Sequence, residues 1–297
     1  MRNQTFGIEL ETTGIGRERT AKAIAAYFGT TAVHRGRHLD DWKVPPGEGR
    51  SWTVESDSSV TDPSAEVVSP VCRWEDIGMV LGVAKAIRAA GAKADSSCGI
   101  HVHVGLGEHT PQSLRRLVNI VNAKEDLLTQ ALGIDPLRRG RWCAPVEPAF
   151  LEAVNRVKPT TMDGLAQLWY RHSGGSSRDW QRCAATHYDR SRYHLLNLHA
   201  VWQKGTVEFR AFNSTLHAGE IKAYIQLCMA ISYQALTAAS ASPRRPETDN
   251  PAYTFRCWLL RLGLNGDEFK TARTHLLKNL PGNAAWRHGA PTSRRTA

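Results

Sequence analysis

Three short segments constrain this chain more than anything else in it: Phe6-Gly7-Ile8-Glu9-Leu10-Glu11, Gly99-Ile100-His101-Val102-His103-Val104 and Thr206-Val207-Glu208-Phe209-Arg210-Ala211. Each alternates apolar and polar residues, and a strand repeats every two residues. The spacing therefore predicts three strands. Each turns Ile8, Leu10, Ile100, Val102, Val207 and Phe209 to a core and its polar pair to the opposite face. The polar pairs are two carboxylates, two imidazoles, and a carboxylate with a guanidinium. Together they are the parts of a site that holds metal ions and phosphate.

At 297 residues the chain can bury a full core. Its composition, 41% hydrophobic and 22% charged, is that of an ordinary soluble globular protein. The net charge of +10 suits polyanions, but a nucleoside triphosphate, a nucleic acid and an acidic small molecule satisfy it equally. No basic run is interleaved with aromatics, and no zinc-finger or basic-zipper pattern occurs. The cysteines (Cys72, Cys98, Cys143, Cys183, Cys228 and Cys257) are scattered without a CxxC pair, which argues against a zinc ribbon or redox dithiol and for reduced thiols. The chain runs directly into its first strand, leaving no room for a signal peptide. No run of about 18 apolar residues is present. A cytoplasmic protein with no membrane partner is expected.

Helical spacing of Ala21, Ile24, Ala25 and Phe28 predicts a helix over 17–28 that Gly29 stops. Residues 34–50, with His34, Arg35, Arg37, His38 and Pro45-Pro46-Gly47, are expected as a mobile loop before a strand over 52–57. A strand at 65–70, a helix over 75–90 and a long helix over 111–132 follow. Residues 134–190, with Arg138, Arg139, Arg141 and a Gly174-Gly175-Ser176-Ser177 stretch, are expected as an irregular insertion carrying a lid. A hairpin is expected from 193–202 and 205–212, turning at Lys204-Gly205. Helices at about 217–239, 251–262 and 267–279 complete the chain. The expected organisation is one catalytic domain over 1–280 with a frayed basic tail over 281–297. Strands and helices do not alternate strictly, so an antiparallel α+β sheet is expected in place of a doubly wound one.

Glutamate is a poor strand former, and Glu9 and Glu11 in register repel one another unless a cation lies between them. His101 and His103 share a face and are flanked by Gly99 and Gly105. No third His or Cys stands at zinc spacing, and the other candidate ligands are carboxylates, so Mg²⁺ or Mn²⁺ is favoured over Zn²⁺. Glu208 and Arg210 fit a metal ligand and a phosphate clamp, since the planar guanidinium fork matches a phosphoryl group. Glu66 stands alone in an apolar strand. Glu55 and Asp57 share a strand face and are further candidates for the metal shell. Arg190, Arg192 and Asn197 precede the last strand and are candidates for phosphate or substrate contact.

In order, Gly7-x-Glu9-x-Glu11, Glu66-Val67, Cys98-Gly99-x-His101-x-His103 and Glu208-Phe209-Arg210 resemble the motifs of the glutamine synthetase and glutamate–cysteine ligase superfamily. Within it the chain is most similar to the amidoligase branch. The resemblance spans about residues 6–213. It implies a glutamine synthetase-like antiparallel β-sheet cup, flanked by helices, that holds ATP and Mg²⁺ or Mn²⁺. It further implies that Glu9, His101 and Glu208 hold the metal on the nucleotide side, and Glu11 and Glu66 the one nearer the acceptor. His103 would lie near the nucleotide phosphates. Arg210, with Arg190 or Arg192, would contact the transferred phosphoryl group. Catalytic roles fall to Arg210, Glu208 and Glu11.

The activity so implied is ATP-dependent joining of a carboxylate to an amine through an acyl phosphate, with ADP and phosphate as products. The acid and the amine are not identified by the sequence; peptides or other macromolecules are candidates, and nucleic acid is weakly supported by the charge. Alternatives are a phosphotransferase of the same fold, a metal-dependent hydrolase or nuclease using the His-x-His strand, and a nucleic-acid-binding module without catalysis.

Overall fold

The structure is a computed structural model and describes residues 1–36, 40–47 and 49–288. Arg37 and His38 of the expected loop, and residues 289–297 of the expected tail, lie outside the described residues. In chain order the elements begin with β1 (Phe6–Thr13), α1 (Arg17–Phe28), β2 (Val33–His34), β3 (Trp42–Gly47), β4 (Arg50–Glu55), β5 (Ser64–Val68), α2 (Ile77–Ala89), β6 (Gly99–Gly105) and α3 (Pro111–Leu132). Then come α4 (Pro136–Arg141), α5 (Pro148–Val157), α6 (Met162–His172), α7 (Trp180–Ala185), β7 (Leu196–Asn197), α8 (His199–Lys204) and β8 (Thr206–Asn213). Helices α9 (Ala218–Thr237), α10 (Pro251–Arg261) and α11 (Lys270–Leu277) close the chain.

Among the described residues the strands form one open antiparallel sheet in the order β2-β3-β4-β5-β1-β6-β8-β7, flanked by helices. The mixed α/β class and the antiparallel sheet are as expected. The three motif strands β1, β6 and β8 lie side by side at its centre, and β5, which carries Glu66, borders β1. Ile8, Leu10, Ile100, Val102, Val104, Val207 and Phe209 are all buried on one face. There α1 packs against β3, β4 and β5, and α9 packs against β6. Helix termini follow local chemistry. Gly29 ends α1 with φ of 64°, a left-handed conformation that glycine adopts without steric cost. Thr110 caps α3 in a reciprocal capping box with Ser113.

Three expectations of local structure are corrected. Much of 34–50 is strand: β2, β3 and the start of β4 extend the sheet at its edge, and His34 stacks on Trp42 with ring centroids 4.7 Å apart. Pro45 and Pro46 are tolerated there because the register shifts between Val44 and Gly47, so no ladder bond demands their missing N–H groups. Residues 134–190 carry four helices in place of an irregular run. Helices α4 to α7 are short, and Asp135, Thr161 and Asp179 cap three of them through side-chain hydrogen bonds. At six residues each, α4 and α7 carry too few turns for a periodic signal. Finally, 193–202 is not the first arm of a hairpin. Only Leu196–Asn197 pairs with β8; the chain then forms α8, which ends at Gly205 with φ of 65°.

The start of the tail is tied down. Asn250 Nδ2 donates to the backbone carbonyls of Asn283, Trp286 and Arg287. All six cysteines are free thiols. Among the described residues no helix is long and apolar enough to cross a membrane.

Candidate active site

Strand register decides which polar residues meet. Residues directly opposite one another in an antiparallel sheet share a face. One row runs Glu55–Glu66–Glu11 across β4, β5 and β1. The next pairs Glu9 with His101, and the next runs His103–Glu208–Asn197 across β6, β8 and β7. Carboxylates and imidazoles from five strands thus line one hollow. A bulge in β8 completes it: Ile100 faces Phe212 and Val102 faces Phe209, so β8 has one extra residue opposite His101. The extra residue lets Arg210 face the hollow while Phe212, two positions on, faces the core and stacks on Tyr224 of α9 at 4.3 Å.

The side chains are buried and interlocked. Glu9 is 7% exposed, Glu11 4%, His101 3%, His103 6%, Glu208 2% and Arg210 4%. His101 Nδ1 lies 2.9 Å from Glu9 Oε2, and Arg210 Nη1 donates to Glu208 Oε1 at 2.6 Å. Asn197 Nδ2 donates to the other oxygen of Glu208 at 2.6 Å, and Lys204 Nζ reaches Glu9 Oε1 at 2.7 Å. Burial raises the Glu9 carboxyl, but the nearby His103 ring, the hydrogen bond with His101 and the charge of Lys204 outweigh it and hold the group well below the ordinary range. Burial likewise opposes ionisation of Glu208, yet Arg210 and the two histidines keep its carboxyl low. Glu66 is the opposite case. Burial and the surrounding charges of Glu9, Glu11, Asp57 and Glu55 push it well above the ordinary carboxylate range. An excess of negative charge that only protonation relieves is what a divalent cation would neutralise.

The donor set fits such a cation. Among the described residues three groups offer potential ligand atoms that lie, within each group, within 4.8 Å of one another: Glu9, His103 and Glu208; Glu9, Glu66 and His101; and Glu11, Asp57 and Glu66. His103 Nδ1 is hydrogen-bonded to Thr206 Oγ1 at 2.9 Å, which fixes the ring and leaves Nε2 pointing into the hollow. That atom is buried without a hydrogen bond, although Glu9 Oε1 is 3.2 Å away, because the approach is misdirected. A buried imidazole nitrogen aimed at carboxylates without bonding them is placed as a ligand would be. Oxygen-rich shells with one imidazole suit Mg²⁺ or Mn²⁺.

Above the sheet is a cleft of about 570 Å³. One wall is acidic and rich in hydroxyls (Glu55, Asp57, Ser58, Ser59), and the other is cationic and aromatic (Arg138, Trp142, Arg192, Tyr193). Of the two arginines left open by the sequence, Arg192 lines the cleft, its guanidinium 5.3 Å from the Tyr188 ring and 5.8 Å from that of Tyr193, while Arg190 is exposed and outside the lining. Asp57 joins Glu11 and Glu66 as a potential ligand, and Glu55 lines the cleft beside them. Sequence reasoning passed over Lys204, Trp142 and Arg138 as site residues. Lys204 was read as a hairpin turn and Arg138 as part of a basic run, and no pattern in the chain points either one at β1 or β6.

The model of a family described as "putative amidoligase enzyme" matches residues 2–232, and the chain belongs to that family. No curated protein sequence matches the chain.

Proposed function

We propose that the protein is an ATP-dependent carboxylate–amine ligase that forms an amide through an acyl phosphate and releases ADP and phosphate. The observation that carries this is the convergence of three carboxylate-rich ligand groups and Arg210 on one buried sheet face. A carboxylate does not acylate an amine near neutral pH, since hydroxide leaves poorly. Attack of a carboxylate oxygen on the γ-phosphorus expels ADP and converts that oxygen into part of a phosphate leaving group. The amine then attacks the acyl carbon, loses a proton and displaces phosphate. Mg²⁺ held by Glu9, Glu11, Glu66, His101 and Glu208, with His103 and Asp57 in reach, would offset the triphosphate charge.

The residues of the chain take the remaining roles. Arg210, oriented by Glu208 and by the Trp142 carbonyl 3.4 Å from its Nε, would stabilise the equatorial oxygens during transfer. Arg192 and His103 would face the nucleotide phosphates. The acidic wall at Glu55 and Asp57 suits a substrate ammonium, whose proton a neighbouring carboxylate would accept. The segment from Trp142 to Tyr193 would cover the acyl phosphate and exclude water. We place the enzyme in the cytoplasm, where its free thiols stay reduced and ATP is at hand.

An ADP-release screen over carboxylates and amines with Mg²⁺ tests this. The expected result is ADP and phosphate only when both co-substrates are present, reduced ~10³-fold in Glu9→Gln. Release of AMP and pyrophosphate, or no nucleotide turnover, would count against it. A stable phosphorylated product made without an amine would indicate a phosphotransferase, and cleavage in nucleotide-free buffer a hydrolase or nuclease.

A further inference from the structure

Arg138 belongs to none of the sequence motifs, yet it is 5% exposed and lines the cleft. Its guanidinium is poorly matched. Glu11 supplies the one carboxylate oxygen within 4 Å among the described residues, and that oxygen is 4.0 Å from Nη1. Nη2 donates to His101 Nε2 at 3.3 Å and, at long range, to the Arg210 carbonyl at 3.5 Å, while Nε has no hydrogen-bond partner. Arg210, equally buried, has Glu208 at 2.6 Å. Burying a guanidinium against neutral acceptors is strongly unfavourable unless an anion comes to meet it.

The neighbouring backbone is shaped around this group. A methyl carbon added at Gly99 would lie 1.8 Å from Arg138 Nη2, so a side chain there would expel the guanidinium. Helix α4 holds the other end: the Asp135 carboxylate accepts from the N–H groups of Leu137 and Arg138. His101 Nδ1 lies 2.9 Å from Glu9 Oε2 and its Nε2 faces Arg138 Nη2, so the imidazole orients the guanidinium without neutralising it. A fork with open donors beside Arg210, over an imidazole that both sides pin, is a seat for a small oxyanion.

We propose that Arg138 is an oxyanion-binding residue of the reaction centre, holding with Arg210 either the carboxylate of the acyl donor or the phosphoryl group it receives. This rests on the ligase reading of the cleft, but its test does not require turnover. Full-length protein is titrated with inorganic phosphate and with acetate, and separately with ADP and adenylyl imidodiphosphate, all with Mg²⁺. In Arg138→Met, phosphate or acetate affinity is expected to fall about tenfold or more, with ADP affinity within about twofold of wild type. The ligand-free melting temperature should equal or exceed wild type, because an unmatched buried charge has gone.

The nucleotide arm separates the two sources. Loss of the preference for adenylyl imidodiphosphate over ADP assigns the γ-phosphoryl group; retention of it with weakened acetate binding assigns the carboxylate. Unchanged phosphate and acetate affinity overturns the proposal, as does a wild type that binds neither. A lower melting temperature with ADP binding lost alongside would mean a structural role and also overturn it. Should Arg138→Met not fold, Gly99→Ala displaces the guanidinium while keeping its charge, and unchanged anion affinity there has the same force. Failure of the ligase reading is distinct: wild type would bind phosphate but neither nucleotide.

Discussion

Glu66 shows how one side chain reports the chemistry of its surroundings. The sequence presents it as a lone acid in an apolar strand. The sheet sets it between Glu55 and Glu11, and its carboxyl rises well above the ordinary range because burial and four carboxylates oppose ionisation. A group whose folded pKa lies above its unfolded value contributes stability that is complete below the unfolded pKa and is lost as pH rises through the folded one. Metal-free wild type should therefore lose stability relative to Glu66→Gln as pH rises above ~4.3, the unperturbed glutamate value, and match it below. Mg²⁺ should reverse the order at high pH, stabilising wild type more. Melting temperatures across pH, with and without Mg²⁺, check this; parallel curves for the two proteins would sink it. The charge conflict is legible in no window of sequence, because its members come from β1, β4, β5 and the turn after β4.

At the scale of elements, the segment β7-α8-β8 repays comparison with the expected hairpin. A strand over 193–202 is expected as the first arm of that hairpin, and Leu195, Leu196 and Leu198 are indeed buried. Asn197 ends that strand: its Oδ1 accepts the N–H of His199 at 2.8 Å and starts α8, while its Nδ2 holds Glu208. One side chain thus couples a helix start to a candidate metal ligand, and α8 delivers Lys204 to Glu9. Asn197→Ala should cost about 1 kcal/mol for the lost hydrogen bond to His199 at the start of α8 and weaken Mg²⁺ binding. Asn197→Asp should retain the acceptor for His199 but set a carboxylate against Glu208, so stability recovers more than turnover does. Urea denaturation and Mg²⁺ titration of the pair check this; equal recovery of both properties would contradict the double role. Asparagine's preference for caps is readable in sequence, but its second partner is a residue of another strand.

For the whole molecule, the net charge of +10 and the cleft act at different ranges. Long-range attraction of a polyanion is screened beyond about 8 Å at physiological ionic strength, whereas contacts inside a buried hollow are screened little. With ATP as substrate, kcat/KM should fall several-fold as salt rises to ~0.15 M while kcat changes little. Steady-state kinetics over a salt series check this, and a kcat that falls in step with kcat/KM would contradict it. The site is also a property of the whole molecule in its makeup. The sheet supplies the floor, while the helical 136–185 layer and the turn after it supply Arg138, Trp142 and Arg192 as one wall. Net charge can be counted from sequence, but which cations face the cleft depends on packing between segments far apart in the chain.

The identity of the three motif strands, the face each polar pair takes and the residue types of the hollow are determined by the sequence alone. A two-residue repeat leaves a strand no freedom over which side chains share a side, so Glu9 and Glu11, His101 and His103, and Glu208 and Arg210 each had to point together. Tertiary structure decided which pairs are neighbours, that a bulge in β8 lets Arg210 and Phe212 face opposite ways, and that Arg138 and Lys204 join the site. Register and long-range packing set those contacts, and both depend on free-energy differences summed over the whole sheet, which no local pattern encodes.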